Sequence, residues 1–77
     1  MMNELGNESM KFILSRVLEN ANDTIEELNE NKDDDFYKGK RLAYYEVLDT
    51  IKSELEARGQ DLKEFGLDID LEKEFLK

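Results

Sequence analysis

Two short runs of acidic residues are the part of this sequence best suited to chemistry. Residues 26–30 read EELNE and residues 46–49 read EVLD. Acids three or four residues apart share one side of an α-helix, so each run can present a pair of carboxylates together. Carboxylate oxygens are the ligands that the hard cation Mg²⁺ requires. Glu27, Glu30, Glu46 and Asp49 are the carboxylates of these runs that are candidates for chemistry.

Two carboxylate pairs on neighbouring helices, separated by a modest spacer, resemble the magnesium-binding motif of the all-α nucleotide pyrophosphohydrolases. The resemblance covers these few positions only. It implies that Glu27, Glu30, Glu46 and Asp49 hold Mg²⁺ against the phosphates of a nucleotide. The function that it implies is a metal-dependent phosphohydrolase.

The helical phase of the two runs favours a different interpretation. If Leu18 and Ile25 face the partner helix, then the EELNE acids lie on the outer face of the first helix. The same assignment places Glu46 and Asp49 on the outer face of the second helix. Two outward-facing sets do not converge on one ion within a hairpin. We therefore expect a protein without catalytic residues, bound metal or cofactor, with the phosphohydrolase as the alternative.

Two long helices carry the periodic apolar residues of the sequence. We predict the first helix over residues 8–30 and the second over 34–58, each with an apolar stripe at alternating steps of three and four. Flanking apolar residues broaden both stripes. The residues expected to form the core and the interface are Leu14, Val17, Leu18, Ala21, Ile25, Leu28, Tyr44, Val47, Leu48, Ile51 and Leu55.

Local signals predict how the helices end and connect. Asn31 suits the end of the first helix, Asn7 or Ser9 suits its start, and the aspartates at 33–35 suit the start of the second. A polar connection this short predicts an antiparallel hairpin. Gly59 is placed to end the second helix, and short helical turns follow at 61–65 and 71–76. We expect this tail to cover the otherwise uncovered Phe12 and Ile13.

Composition narrows the classes of partner. The 77 residues allow one domain, and their net charge of −9 disfavours nucleic acid and anionic membranes. The absence of cysteine and histidine excludes disulfides and the common zinc sites, so oligomerisation is the remaining way to reinforce so small a core. No segment resembles a signal peptide or a membrane span, and we expect a cytoplasmic protein.

The resulting fold prediction is an all-α antiparallel hairpin with a short helical tail, pairing into a four-helix homodimer. The function predicted is a small acidic regulator or adaptor that self-associates through its apolar stripe. A cluster of Tyr37, Arg41 and Tyr45 is a further candidate surface for another protein, because tyrosine and arginine are enriched at interfaces. An acidic mimic of nucleic acid is a third, weaker interpretation of the net charge.

Overall fold

The computed structural model describes residues 6–76 and contains two long helices packed against each other, followed by a short tail. Helix α1 spans Asn7–Glu30 and helix α2 spans Asp35–Ala57. The tail comprises a 3₁₀ turn at Leu62–Phe65 and a short helix α3 at Leu71–Phe75. The predicted all-α helical hairpin is confirmed, and the described residues contain no strand.

Aspartates begin three of these elements because each side chain accepts a hydrogen bond from a backbone N–H that the first helical turn leaves unsatisfied. The Asp34 carboxylate accepts from the Phe36 N–H at 2.9 Å and so begins α2. Asp61 begins the 3₁₀ turn in the same way, at 3.1 Å. Asp70 begins α3 by accepting from the Lys73 N–H at 3.2 Å. The short tail is thus ordered locally by its own caps.

Two glycines in the left-handed region turn the chain back toward the hairpin. Gly59, with φ of 71°, follows the end of α2, where the Gln60 N–H donates to the Leu55 carbonyl at 2.9 Å. Gly66, with φ of 73°, repeats the arrangement after the 3₁₀ turn. This is the Schellman ending, which needs a residue that tolerates positive φ. The predicted helix-ending role of Gly59 is therefore present in the structure.

The two ends of α1 differ from the prediction. Asn31 has φ of −136° rather than a left-handed conformation. Its side-chain amide instead donates to the Glu27 carbonyl at 2.9 Å, which satisfies one of the last free carbonyls of the helix. At the other end Gly6 precedes the first helical residue without a side-chain cap, so Asn7 and Ser9 lie within the helix.

The tail supplies a large share of the core. Among the described residues eight apolar side chains are buried, and four of them belong to the tail. The chain is therefore not a bare two-helix hairpin, because half of its buried apolar residues arrive from beyond Gly59. These residues are Leu14, Ala21, Leu28 and Leu48 of the hairpin and Phe65, Leu67, Leu71 and Phe75 of the tail.

Polar contacts fix the tail along the hairpin. The Lys11 ammonium lies 3.3 Å from the Glu64 carboxylate, which joins the start of α1 to the 3₁₀ turn. Farther along, the Lys52 ammonium donates to the Ile69 carbonyl at 2.6 Å and so holds the extended segment against α2. The Phe75 side chain ends the run among α1 residues close to the interhelical loop. The tail thus runs back along the hairpin from its open end toward its loop.

The expected cover for Phe12 and Ile13 is wrong. Phe12 remains 65% exposed and Ile13 remains 44% exposed. The tail does pass the start of α1, where Leu18 lies 3.4 Å from the position of a Cβ on Gly66. Phe12 and Ile13 lie at other angles around α1, because successive helical residues turn by about 100°. The tail covers one face of the hairpin and leaves the other open.

Candidate interaction face

The side of α2 away from the tail carries an apolar surface, here named the open face and defined as Ala43, Tyr44 and Val47. Ala43 and Val47 are one turn apart on α2, so they share a side of that helix. With Tyr44 they line a shallow depression of about 150 Å³. Val47 is 51% exposed, although the next residue, Leu48, is fully buried. The open face is therefore apolar and accessible.

The opposite side of each helix contacts the tail, which separates the two faces. On α2, Lys52 bonds the tail, and Tyr45 lines a cavity together with α3. Tyr45 and Val47 are two residues apart and hence about 200° apart around the helix. On α1, Lys11 pairs with the tail, whereas Val17 lies about 120° away. Val17 and Val47 therefore lie away from the residues of their own helices that contact the tail.

An ion pair crosses the hairpin at the loop end of the open face. The Lys40 ammonium lies 3.3 Å from the Glu27 carboxylate, and both side chains are partly buried. The helical phase predicted Glu27 on the outer face of α1, and the structure instead places it at the junction with α2. Because the two charges compensate each other, this ion pair adds no net charge to the surface.

The predicted seam residues occupy three environments. Leu14, Ala21, Leu28 and Leu48 are buried. Half-buried positions pack against that core from either side, and one predicted residue is exposed. The half-buried set is Val17, Leu18, Ile25, Tyr44, Ile51 and Leu55, and the exposed residue is Val47.

Thr24 is a core residue that the apolar pattern did not predict. It is fully buried, and its hydroxyl donates to the Asn20 carbonyl at 3.0 Å. A threonine can be buried in a helix because this bond to the preceding turn satisfies its hydroxyl. Its position three residues after Ala21 and four before Leu28 is the signal that marks it as facing the core.

The three residues predicted as a partner surface follow one another at single-turn spacing along α2 and have different neighbours. Tyr37 contacts the Phe36 ring, with ring centroids 5.2 Å apart, near the start of α2. Arg41 lines a cavity with Phe75 at the end of the tail. Tyr45 lines a separate cavity between α2 and α3. The tail thus borders two of the three residues, Arg41 and Tyr45.

Tyr45 lies among carboxylates on the tail side. Partial burial raises the pKa of its phenol, and the nearby charges of Asp49, Glu72 and Asp70 raise it further. Each of these factors disfavours the phenolate. Three carboxylates thus lie near the Tyr45 phenol on the tail side.

Across the hairpin the pKa of Lys11 is also raised, chiefly by its hydrogen bond with Glu64 and against partial desolvation, with a smaller contribution from Glu8. That contact favours the charged ammonium.

The carboxylates of the candidate magnesium site lie in different places. Glu27 pairs with Lys40, whereas Glu30 and Glu46 are exposed. Asp49 is exposed beside Tyr45 on the tail side. Within residues 6–76, no three carboxylates are grouped closely enough to hold a metal ion.

The comparisons add no relative. No protein-family model, curated protein or solved structure matches this chain. Within the part of the chain that the structure describes, no helix has the length and apolar character needed to cross a bilayer.

Proposed function

We propose that the protein is a non-catalytic interaction module that self-associates through the open face. The observation that carries the proposal is the exposure of Val47 beside Ala43 and Tyr44 on a hairpin whose other side contacts its own tail. Burying such a surface against a partner is favourable at about 25 cal/mol per Å² of apolar area. A second copy is the occupant that we propose.

Charge supports a second copy over a basic partner. The chain carries a net charge of −9, yet the charges of Glu27 and Lys40 at the loop end of the open face compensate each other. A basic partner would be attracted to the tail side, where carboxylates surround Tyr45. Two copies meeting at their apolar open faces keep the carboxylates around Tyr45 apart. Closed two-fold pairing then buries both apolar surfaces at once.

The dimensions of the hairpin suit such pairing. The chain measures 45 × 21 × 16 Å along its principal axes, so its long side is broad enough for a second hairpin. A standard interface buries about 800 Å² from each partner. Helix pairs that meet side by side cross at about 20° and form a four-helix bundle. The resulting module would act as a small regulator or adaptor.

Sedimentation equilibrium of the native chain at micromolar concentration tests the proposal. We expect about twice the monomer mass of 9.1 kDa. Val47→Glu should give a folded monomer, because it places a charge in the interface without touching the core. Leu42→Glu is the matched control, since Leu42 is 47% exposed and lies about 140° from Val47 around α2.

Three outcomes would contradict the proposal. A native monomer at these concentrations would exclude self-association under them. Equal dissociation of the Val47→Glu and Leu42→Glu variants would show that added charge, rather than the open face, controls assembly. A dimer that survives Val47→Glu would place the interface elsewhere on the chain.

A further inference from the structure

A large exposed aromatic side chain lies on the same side of α2 as the open face. Phe36 is 67% exposed, and its ring meets the Tyr37 ring edge to face with the centroids 5.2 Å apart. By helical phase, Ala43 and Val47 each lie within about 20° of Phe36 around the axis of α2. Phe36 therefore extends the apolar surface of the open face to the start of α2.

The depression in the open face has the geometry of a hole for one side chain. Its lining residues are Lys40, Ala43, Tyr44 and Val47, which stand at positions i, i+3, i+4 and i+7 of α2. Four residues at this spacing surround the side chain that a facing helix inserts when two helices interdigitate. Ala43 and Val47 are exposed, and Lys40 and Tyr44 are half-buried, so a side chain from outside can contact the whole lining.

Phe36 does not reach the depression of its own chain. The centre of the depression lies about 11 Å farther along α2, at a rise of about 1.5 Å per residue. When a second copy meets this helix antiparallel, each Phe36 ring lies over the depression of the other copy. A parallel pair in register would instead bring Phe36 against the partner's Phe36. A parallel pair shifted by two turns would leave one ring and one depression unmatched, which is an open rather than a closed arrangement.

Charge also favours the antiparallel arrangement. Residues 33–35 are three consecutive aspartates directly before Phe36. Parallel helices would place two such runs side by side. Antiparallel helices with a two-fold axis near Lys40 separate the runs by about 18 Å, well beyond the Debye length of about 8 Å at physiological ionic strength. The Lys40 charge near that axis is compensated within its own chain, because its ammonium lies 3.3 Å from the Glu27 carboxylate.

These observations point to one contact that both copies make at once. We infer that the open face binds a second copy antiparallel along α2, with the Phe36 ring of each copy seated in the depression beside Ala43 and Val47 of the other. The inference rests on the proposed self-association and adds its anchor residue and its orientation. Aromatic side chains are enriched at interfaces, and a few anchors that fill pockets carry most of the binding energy. Phe36 is thus the residue assigned to specify the pairing.

Two phenylalanine variants test the anchor. Phe36→Ala should raise the Kd of the dimer by at least roughly tenfold in sedimentation equilibrium, because it empties the depression and leaves the core intact. Phe12→Ala is the matched control and should leave the Kd unchanged, since Phe12 is 65% exposed but belongs to α1. Equal Kd values for the two variants would overturn the anchor, while a native dimer that Val47→Glu dissociates would keep self-association in place. A monomeric native chain would overturn both.

Cysteine cross-linking tests the orientation, because the chain contains no cysteine of its own. A disulfide needs Cα atoms less than about 7 Å apart. Antiparallel helices bring Phe36 opposite the partner's Ala43 but hold like positions about 9 Å or more apart. An oxidised mixture of Phe36→Cys and Ala43→Cys should therefore form the mixed disulfide at least roughly tenfold faster than either variant links to itself.

The same experiment separates the other arrangements. Faster self-linking of Phe36→Cys than mixed linking would show a parallel pair and refute the orientation. Phe12→Cys mixed with Ala43→Cys is the control for random collision, since Phe12 lies on α1. A mixture of Phe36→Cys and Ala43→Cys that links no faster than this control would place Phe36 outside the interface.

Discussion

Leu67→Ala is the sharpest test of the tail as a part of the core. The Leu67 side chain is fully buried, with 0% of its surface exposed, among residues of both hairpin helices. Its backbone N–H donates to the Leu62 carbonyl, a bond that alanine keeps. The substitution therefore removes packing alone. Truncation of a buried leucine to alanine costs about 2–5 kcal/mol.

That loss is large for a chain of this size. At about 0.05–0.15 kcal/mol per residue, the total free energy of unfolding of 77 residues is about 4–12 kcal/mol. Each kcal/mol shifts the Tm of such a domain by about 4–8 °C. Thermal unfolding followed by circular dichroism should therefore show a fall in Tm of at least about 8 °C.

Leu42→Ala is the control, because it makes the same change at a residue that is 47% exposed. We expect its effect to stay within about 0.5 kcal/mol, since alanine is also the better helix former. Similar Tm values for the two variants would refute the docked tail. The apolar residues after Gly59 would then belong to a binding arm that the native fold does not need.

Three further predictions concern backbone, pH and metal. Gly66→Ala should destabilise the fold by about 1–2 kcal/mol because the φ of Gly66 is 73°. Gly39→Ala, in the interior of α2 where an added Cβ meets no neighbour, should stabilise the fold by about 0.5–1 kcal/mol. Urea unfolding measures both changes, and changes of the same sign would contradict the backbone argument. The folded state raises the pKa of Tyr45, so the stability that the neutral phenol contributes is present below about pH 10 and is lost above it. Between pH 9 and about pH 11, the Tyr45→Phe variant should therefore lose less stability than the native chain. Parallel pH profiles of the two proteins would contradict this. Titration with Mg²⁺ should leave the NMR signals of Glu30 and Glu46 in place, since no group of three carboxylates within residues 6–76 could hold the ion. Saturable shifts of these signals would support the phosphohydrolase alternative.

The sequence determined the elements of this protein through interactions of short range. Helix caps at Asp34, Asp61 and Asp70 and the left-handed turn at Gly59 involve neighbours only a few residues away, so residue type and spacing predict them. The antiparallel hairpin follows from the same information, because a short polar connection leaves two helices little choice of direction.

Only the tertiary structure decided which apolar residues are covered. Phe12 and Phe75 are the same residue type, yet the first is 65% exposed and the second 1% exposed. Helical phase gives the direction of a side chain relative to its own axis, but it does not say which neighbour occupies that direction. The tail packs against one side of the hairpin, where the Phe75 side chain is buried, and Val47 on the other side remains exposed. That choice depends on contacts between residues far apart in the chain, which the spacing of residues along one helix does not encode.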